Sequence, residues 1–148
     1  MTVARELVGK VLVHRAAEGV AAGRIVETEA YRGPADQAAH SANGRRTPRT
    51  EVMWGRAGHA YMFLLYGMHW AFNVVAAREG QPHAVLVRAL EPLPPFAAMC
   101  ARRGKPPGDR ALTNGPGKLC AALGLDRLHY GADLCGADLF LLPGCRRG

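Results

Sequence analysis

The stretch from Ala60 to Asn73, AYMFLLYGMHWAFN, constrains the fold of this chain more than any other. Two apolar, aromatic-rich runs meet at Tyr66-Gly67, and a glycine directly after an aromatic residue suits a tight turn between paired strands. The pattern predicts a β-hairpin with a large, partly polar ring at its turn. Such a ring is costly to expose unless something covers it. One cover is the protein's own core, with Tyr66 folded inward. The other, in a basic protein, is the inside of a nucleic-acid helix, where side chains wedge between bases.

The chain is basic: 19 Lys and Arg stand against 12 Asp and Glu, a formal charge of +7, and 16 of the basic residues are arginines. Positive charge favours polyanionic partners and arginine favours bidentate phosphate contacts, although an Arg-rich composition also arises from coding bias. At 148 residues one domain is expected, burying roughly two thirds of the unfolded surface. No run of 18 or more apolar residues occurs, and MTVARELVGK lacks a charged start followed by an apolar stretch. Neither a membrane span nor a signal peptide is expected, so the chain reads as soluble and intracellular. Cys100, Cys120, Cys135 and Cys145 form no C-x-x-C pair, so free thiols are expected rather than structural zinc.

Along the chain, Thr2 starts a short helix that Gly9 closes, and Val11 to His14 reads as a strand. Arg24 to Tyr31, RIVETEAY, alternates with period two, which places Ile25, Glu27, Glu29 and Tyr31 on one face of a strand. Two acids on one face are unusual. They are either solvated surface acids or, if partly buried, include a carboxylate whose pKa is raised enough to act as a general base.

Gly33 to Gly58 is loop-like, and its centre, Arg45 to Arg56, carries four arginines and one glutamate with Thr47, Pro48 and Trp54 interleaved. Guanidiniums and hydroxyls of this kind hold phosphates in register, and a solvated basic loop would look similar. His40 lies near its start. Val74 to Ala77 continues the second hairpin strand, and His83 to Leu90 reads as a buried strand interrupted by Arg88, a charge that needs an acidic partner from a neighbouring strand. Pro94 to Arg103 is a short helix closed by Gly104. In LTNGPGKLCAALGL a Gly- and Pro-rich turn delivers Lys118 to the start of a helix ending near Leu123, a second phosphate contact that lacks the Walker spacing. Ala137 to Leu142 is the last expected strand.

Taken in order and spacing, RIVETEAYRGPADQAAHS, RRTPRTEVMWGRAGHAYMFLLYGMHWAFN, VLVRALEP and TNGPGKLCAALGL strongly resemble the alkyladenine DNA glycosylase family, also called the 3-methyladenine or methylpurine DNA glycosylase family. The likeness spans about Leu7 to Leu142. It implies an α+β single domain with a curved antiparallel sheet, flanking helices and a protruding hairpin that inserts into DNA. It implies a monofunctional enzyme, a monomer acting on double-stranded DNA, that hydrolyses the N-glycosidic bond of alkylated or deaminated purines such as 3-methyladenine and hypoxanthine. No metal or other cofactor is implied, and no membrane partner.

By position, Glu29 matches the family's general base, and Arg88 the arginine that helps hold the attacking water. Tyr31 and His40 match pocket residues that stack on the flipped base and donate near the sugar. Asn73 matches a pocket asparagine that discourages guanine, and Tyr66 the residue that fills the gap left by the extruded nucleotide. Arg45, Thr47, Met53 and Lys118 match positions at the DNA backbone. Phe63 stands where vertebrate members carry a tyrosine facing the base, so stacking is kept and a hydroxyl contact is lost. No matched pocket position is a lysine, so no Schiff-base step is implied.

Family members usually continue some tens of residues past the position of Leu142, where PGCRRG ends this chain. The expectation is therefore a domain over 1–148 without that segment. Two alternatives stand beside the active glycosylase: a catalytically weakened relative that still binds damaged DNA, and a hydrolase of free nucleosides or glycosides built on Glu27, Glu29 and His40.

Overall fold

The computed structural model describes residues 2–31, 58–75 and 84–143. His40, Arg45, Thr47, Met53 and Cys145 lie outside these residues, as do the rest of the basic stretch 45–56 and His83. Six strands form one antiparallel sheet: β1 (Val11–Ala16), β2 (Gly19–Tyr31), β3 (Ala60–Leu65), β4 (His69–Val75), β5 (Ala84–Leu93) and β6 (Leu139–Leu142). Their order across the sheet is β3-β4-β5-β2-β1-β6. Among the described residues three α-helices accompany them: α1 (Thr2–Leu7), α2 (Ala97–Arg103) and α3 (Pro116–Leu123). The expected α+β fold with a curved antiparallel sheet is what the structure has.

Alternation along the strands divides the buried side chains between two faces. On one, Met62, Phe72, Val74, Val85, Val87 and Leu90 join Ile25 and Leu12 beneath α2 and α3, which contribute Met99, Leu119, Cys120, Ala122 and Leu123. On the other, Tyr61, Phe63, Ala71, Val75, Ala84 and Leu86 make a second, smaller cluster. A strand buried on both faces reads as a continuous apolar run, which is why β3, β4 and β5 looked alike in sequence.

The helices stop where glycine allows a left-handed residue: Gly104 at φ 63° after α2 and Gly124 at φ 71° after α3. Pro116 opens α3, where a missing N–H costs nothing. Just before it, Thr113 Oγ1 donates to the Leu90 carbonyl at 2.6 Å, and the Leu90 N–H donates to the Thr113 carbonyl at 3.0 Å. That double tie fixes the start of α3 to the sheet.

Behind the C-terminal end of α3 a pair of imidazoles links β1 to a single-turn 3-10 helix, Arg127–His129. Asp126 N–H donates to His129 Nδ1 at 3.1 Å, so His129 carries its proton on Nε2 and donates to His14 Nε2 at 3.2 Å. His14 Nδ1–H then donates to the Leu123 carbonyl at 2.5 Å. Burial, followed by the facing His14, holds the His129 imidazole below the usual histidine range, and Asp126 opposes this only in part.

Several boundaries differ from expectation. The strand expected over Val11 to His14 runs on to Ala16, and that expected from Arg24 begins at Gly19, because the two form one hairpin. The strand expected to end at Leu90 continues to Leu93, paired with β2. The helix expected from Pro94 begins at Ala97, since a residue that precedes a proline, as Leu93 and Pro94 do, is disfavoured in the helical conformation. The last strand begins at Leu139 rather than Ala137. Within the described residues β4 ends at Val75.

Candidate active site

Residues that lie far apart in sequence meet in one row across the second face of the sheet. Tyr61 pairs with Asn73, Asn73 with Leu86, and Leu86 with Glu29, so the row crosses β3, β4, β5 and β2 in turn. Successive strands are about 4.8 Å apart, which puts the Glu29 and Asn73 backbones about 10 Å from each other. Phe63 is on the same face as Tyr61, two residues along β3, with ring centroids 5.7 Å apart. Tyr130 meets Tyr61 edge-on at 6.1 Å. Glu29, Arg88, Asn73 and Phe63 are thus brought together on one aromatic-lined face.

Asn73 is buried. Its Nδ2 donates to the Tyr61 carbonyl at 3.2 Å, while its Oδ1 is buried with no hydrogen-bond partner among the described residues. An unpaired buried acceptor costs roughly 1–3 kcal/mol. It suits a ligand that presents an N–H.

The strict alternation expected of RIVETEAY breaks at Val26. Ile25 pairs with Leu90 and Glu27 with Ala89, leaving Val26 without a partner on β2; Thr28 then pairs with Val87, leaving Arg88 without one on β5. The two bulges compensate, and each reverses the face on which the following side chains project. Ile25 is therefore in the core beneath the helices and does not share a face with Glu29, which corrects the expected grouping of Ile25, Glu27, Glu29 and Tyr31. The acids keep their own face while the flanking apolar residues keep the core. The backbone of Tyr31 ends β2, opposite Ala84.

Arg88 has the acidic partner its sequence context required. Its Nη1 donates to Glu29 Oε2 at 2.5 Å and its Nε to Glu27 Oε1 at 3.3 Å. Glu29 first, then Glu27, holds the guanidinium above the usual arginine range, against a smaller opposing effect of burial. Arg88 is not buried as expected: its side chain is 41 % exposed and that of Glu29 44 %. The bulge lifts the guanidinium out of an otherwise buried strand. Glu29 is partly buried, and its nearest charged neighbour is the Arg88 guanidinium.

Tyr66 stands at the tip of the β3–β4 hairpin, in the three-residue connection 66–68 between Leu65 and His69. Its side chain is 92 % exposed and its φ is 52°, a left-handed conformation that is unfavourable for a residue with a side chain. The ring points out rather than into the core, so the core of the described residues does not cover it. Met68, 74 % exposed, stands beside it; sequence reasoning passed over it, although its place in the same turn was the available signal.

Two clefts flank the hairpin. One, of about 420 Å³, is lined by Tyr66, His69, Arg103, Gly115, Pro116 and Lys118. It joins the exposed ring to the first turn of α3, where Lys118 is exposed and donates to Asn114 Oδ1 at 3.2 Å. Arg103 donates to the carbonyls of Ala111 and Leu112 and is partly buried, whereas Lys118 is exposed. The other cleft, of about 810 Å³, is apolar, with Phe63, Leu64, Trp70, Leu128 and Tyr130 on its walls.

Among the described residues no group of three or more His, Cys, Asp or Glu side chains is placed to hold a metal ion, and no helix is long and apolar enough to cross a membrane.

The methylpurine-DNA glycosylase family model matches residues 1–147. A protein of Desulfitobacterium hafniense, provisionally named 3-methyladenine DNA glycosylase, is 52% identical over 148 residues, covering 95% of this chain and 73% of its own. Proteins of Clostridium acetobutylicum and Myxococcus xanthus with the same provisional name are 46% and 53% identical; each match covers 97% of this chain, and 74% and 68% of theirs. A family match over nearly the whole chain, joined to a sheet that gathers Glu29, Arg88, Asn73 and Phe63 on one face, places this protein in the methylpurine-DNA glycosylase family.

Proposed function

We propose that this chain is a monofunctional DNA glycosylase that releases alkylated or deaminated purines, 3-methyladenine and hypoxanthine among them, from duplex DNA. The observation that carries the reading is the Glu29–Arg88 pair: a carboxylate held by one oxygen only, half-exposed, on the face that also bears Asn73 and Phe63. Reaching the anomeric carbon requires taking the nucleotide out of the stack, at a cost of a few kcal/mol that damaged bases reduce. Tyr66 at the hairpin tip fills the gap, Tyr31, His40 and Phe63 receive the base, and Arg45, Thr47, Met53 and Lys118 meet the backbone.

Glu29 accepts a proton from a water held beside Arg88. The water oxygen bonds to the anomeric carbon, the glycosidic bond breaks, and its electron pair leaves with the purine. A cationic alkylated purine becomes neutral as it departs, so it needs no further acid; hypoxanthine leaves with a proton taken from its surroundings. Stacking and cation–π attraction to aromatic walls favour an electron-poor base by roughly 0.5–2 kcal/mol.

The test is base release from duplexes carrying hypoxanthine or 3-methyladenine under single-turnover conditions, with Glu29→Gln alongside. Loss of a general base costs about 10²–10⁴-fold, so release should fall by that factor while binding to the damaged duplex persists. Specific binding without release by the unaltered chain would instead select a DNA-binding relative. Turnover of free inosine but not of inosine in duplex DNA would select a nucleoside hydrolase.

A further inference from the structure

Glu27 has no task in the reaction as described, yet it touches the same guanidinium as Glu29. An arginine facing a single carboxylate commonly closes on it with two parallel N–H···O bonds and occupies both oxygens. Here the guanidinium is divided. Its Nε goes to Glu27 Oε1 at 3.3 Å and its Nη1 to Glu29 Oε2 at 2.5 Å, and among the described residues nothing bonds Glu29 Oε1. The division depends on the paired bulges at Val26 and Arg88, which set two glutamates of one strand beside a single residue of the next.

We propose that Glu27 is a positioning residue: by engaging the Nε edge of Arg88 it stops the guanidinium from closing over both oxygens of Glu29, and so leaves Oε1 open to the attacking water. The inference rests on the base-excision reading above. With Glu27 removed, Arg88 turns onto Glu29 and competes with water for the open oxygen. Glu27 is 61 % exposed and its bond is long, so it adds little to stability and its removal leaves the fold standing.

Glu27→Ala and Glu27→Asp are compared with the unaltered 148-residue chain in single-turnover release, in damaged-duplex binding, and in the carbon-13 NMR signal of the Glu29 carboxyl. A base obstructed for part of the time keeps part of its contribution, so Glu27→Ala should slow release about tenfold at saturating protein with unchanged binding. Glu27→Asp, which restores the charge, should recover much of that loss. The Glu29 carboxyl signal should move in Glu27→Ala and stay still when the same change is made in an Arg88→Gln background, because the effect travels through Arg88. Unchanged release together with an unmoved signal overturns the proposal, as does a signal that moves equally in both backgrounds. If the unaltered chain releases no base, the excision reading fails, and the Glu29 signal in the two backgrounds still decides whether Glu27 holds Arg88 off.

Discussion

His69 and Gly117 approach so closely that a Cβ on the glycine would lie 2.8 Å from the His69 Cβ. The first turn of α3 therefore leans on the first residue of β4, immediately past the hairpin tip. This contact brings Lys118 and Tyr66 to one cleft. Gly117→Ala gains up to about 1 kcal/mol in helix propensity. The clash it creates is with a side-chain stem close to the backbone and costs roughly 1–3 kcal/mol. The melting temperature should fall by a few degrees. A rise would mean that the hairpin yields and that α3 does not brace it.

Replacing Tyr66 separates function from stability. The ring is almost wholly exposed, so Tyr66→Ala should leave the melting temperature close to that of the parent. Stacking on a base is worth roughly 1–3 kcal/mol, so affinity for a duplex with a flipped nucleotide should drop about tenfold or more. Tyr66→Gly should lose the same affinity but melt higher than Tyr66→Ala, because glycine adopts φ 52° without strain. Full affinity in either variant would remove the ring from the DNA interface.

Lys118 is tested by salt. If it meets a phosphate, Lys118→Gln should reduce the slope of log affinity against log salt by about 1, equally on damaged and undamaged duplexes. The same change is expected for Arg45→Gln and Arg49→Gln in the basic stretch 45–56. An unaltered slope would assign Lys118 to the cleft wall alone.

The imidazole pair predicts how stability depends on pH. Folding holds the His129 pKa below its unfolded value near 6.5. As pH falls through that value the unfolded chain takes up a proton that the folded chain refuses, so the stability present at neutral pH is progressively lost towards the folded pKa. Thermal melts between pH 7.5 and 5.5 should show a falling melting temperature in the parent and a shallower fall in His129→Gln. Parallel curves for the two proteins would count against this origin.

Much of this arrangement was legible in the residues. The hairpin and its turn, the helix stops at Gly104 and Gly124, and the need of Arg88 for an acid all depend on a few adjacent side chains. The grouping of Ile25 with Glu29 failed because alternation was assumed to continue unbroken. Whether a strand holds its parity or bulges depends on its partner strand, and β2 and β5 are separated by more than fifty residues of chain. The His14–His129 bond joins residues 115 apart and left no local trace.

By itself the sequence determined which segments pair or coil, where a ring sits at a turn, and which residue types could carry acid–base chemistry, since turn geometry, caps and periodicity are local. Only the tertiary structure decided that Glu29 is held through one oxygen by an arginine shared with Glu27, that Asn73 presents an unpaired oxygen on the same face, and that Lys118 stands beside Tyr66. Each of these requires strand register and helix docking, which arise when distant apolar faces bury one another and bring the polar residues between them into contact.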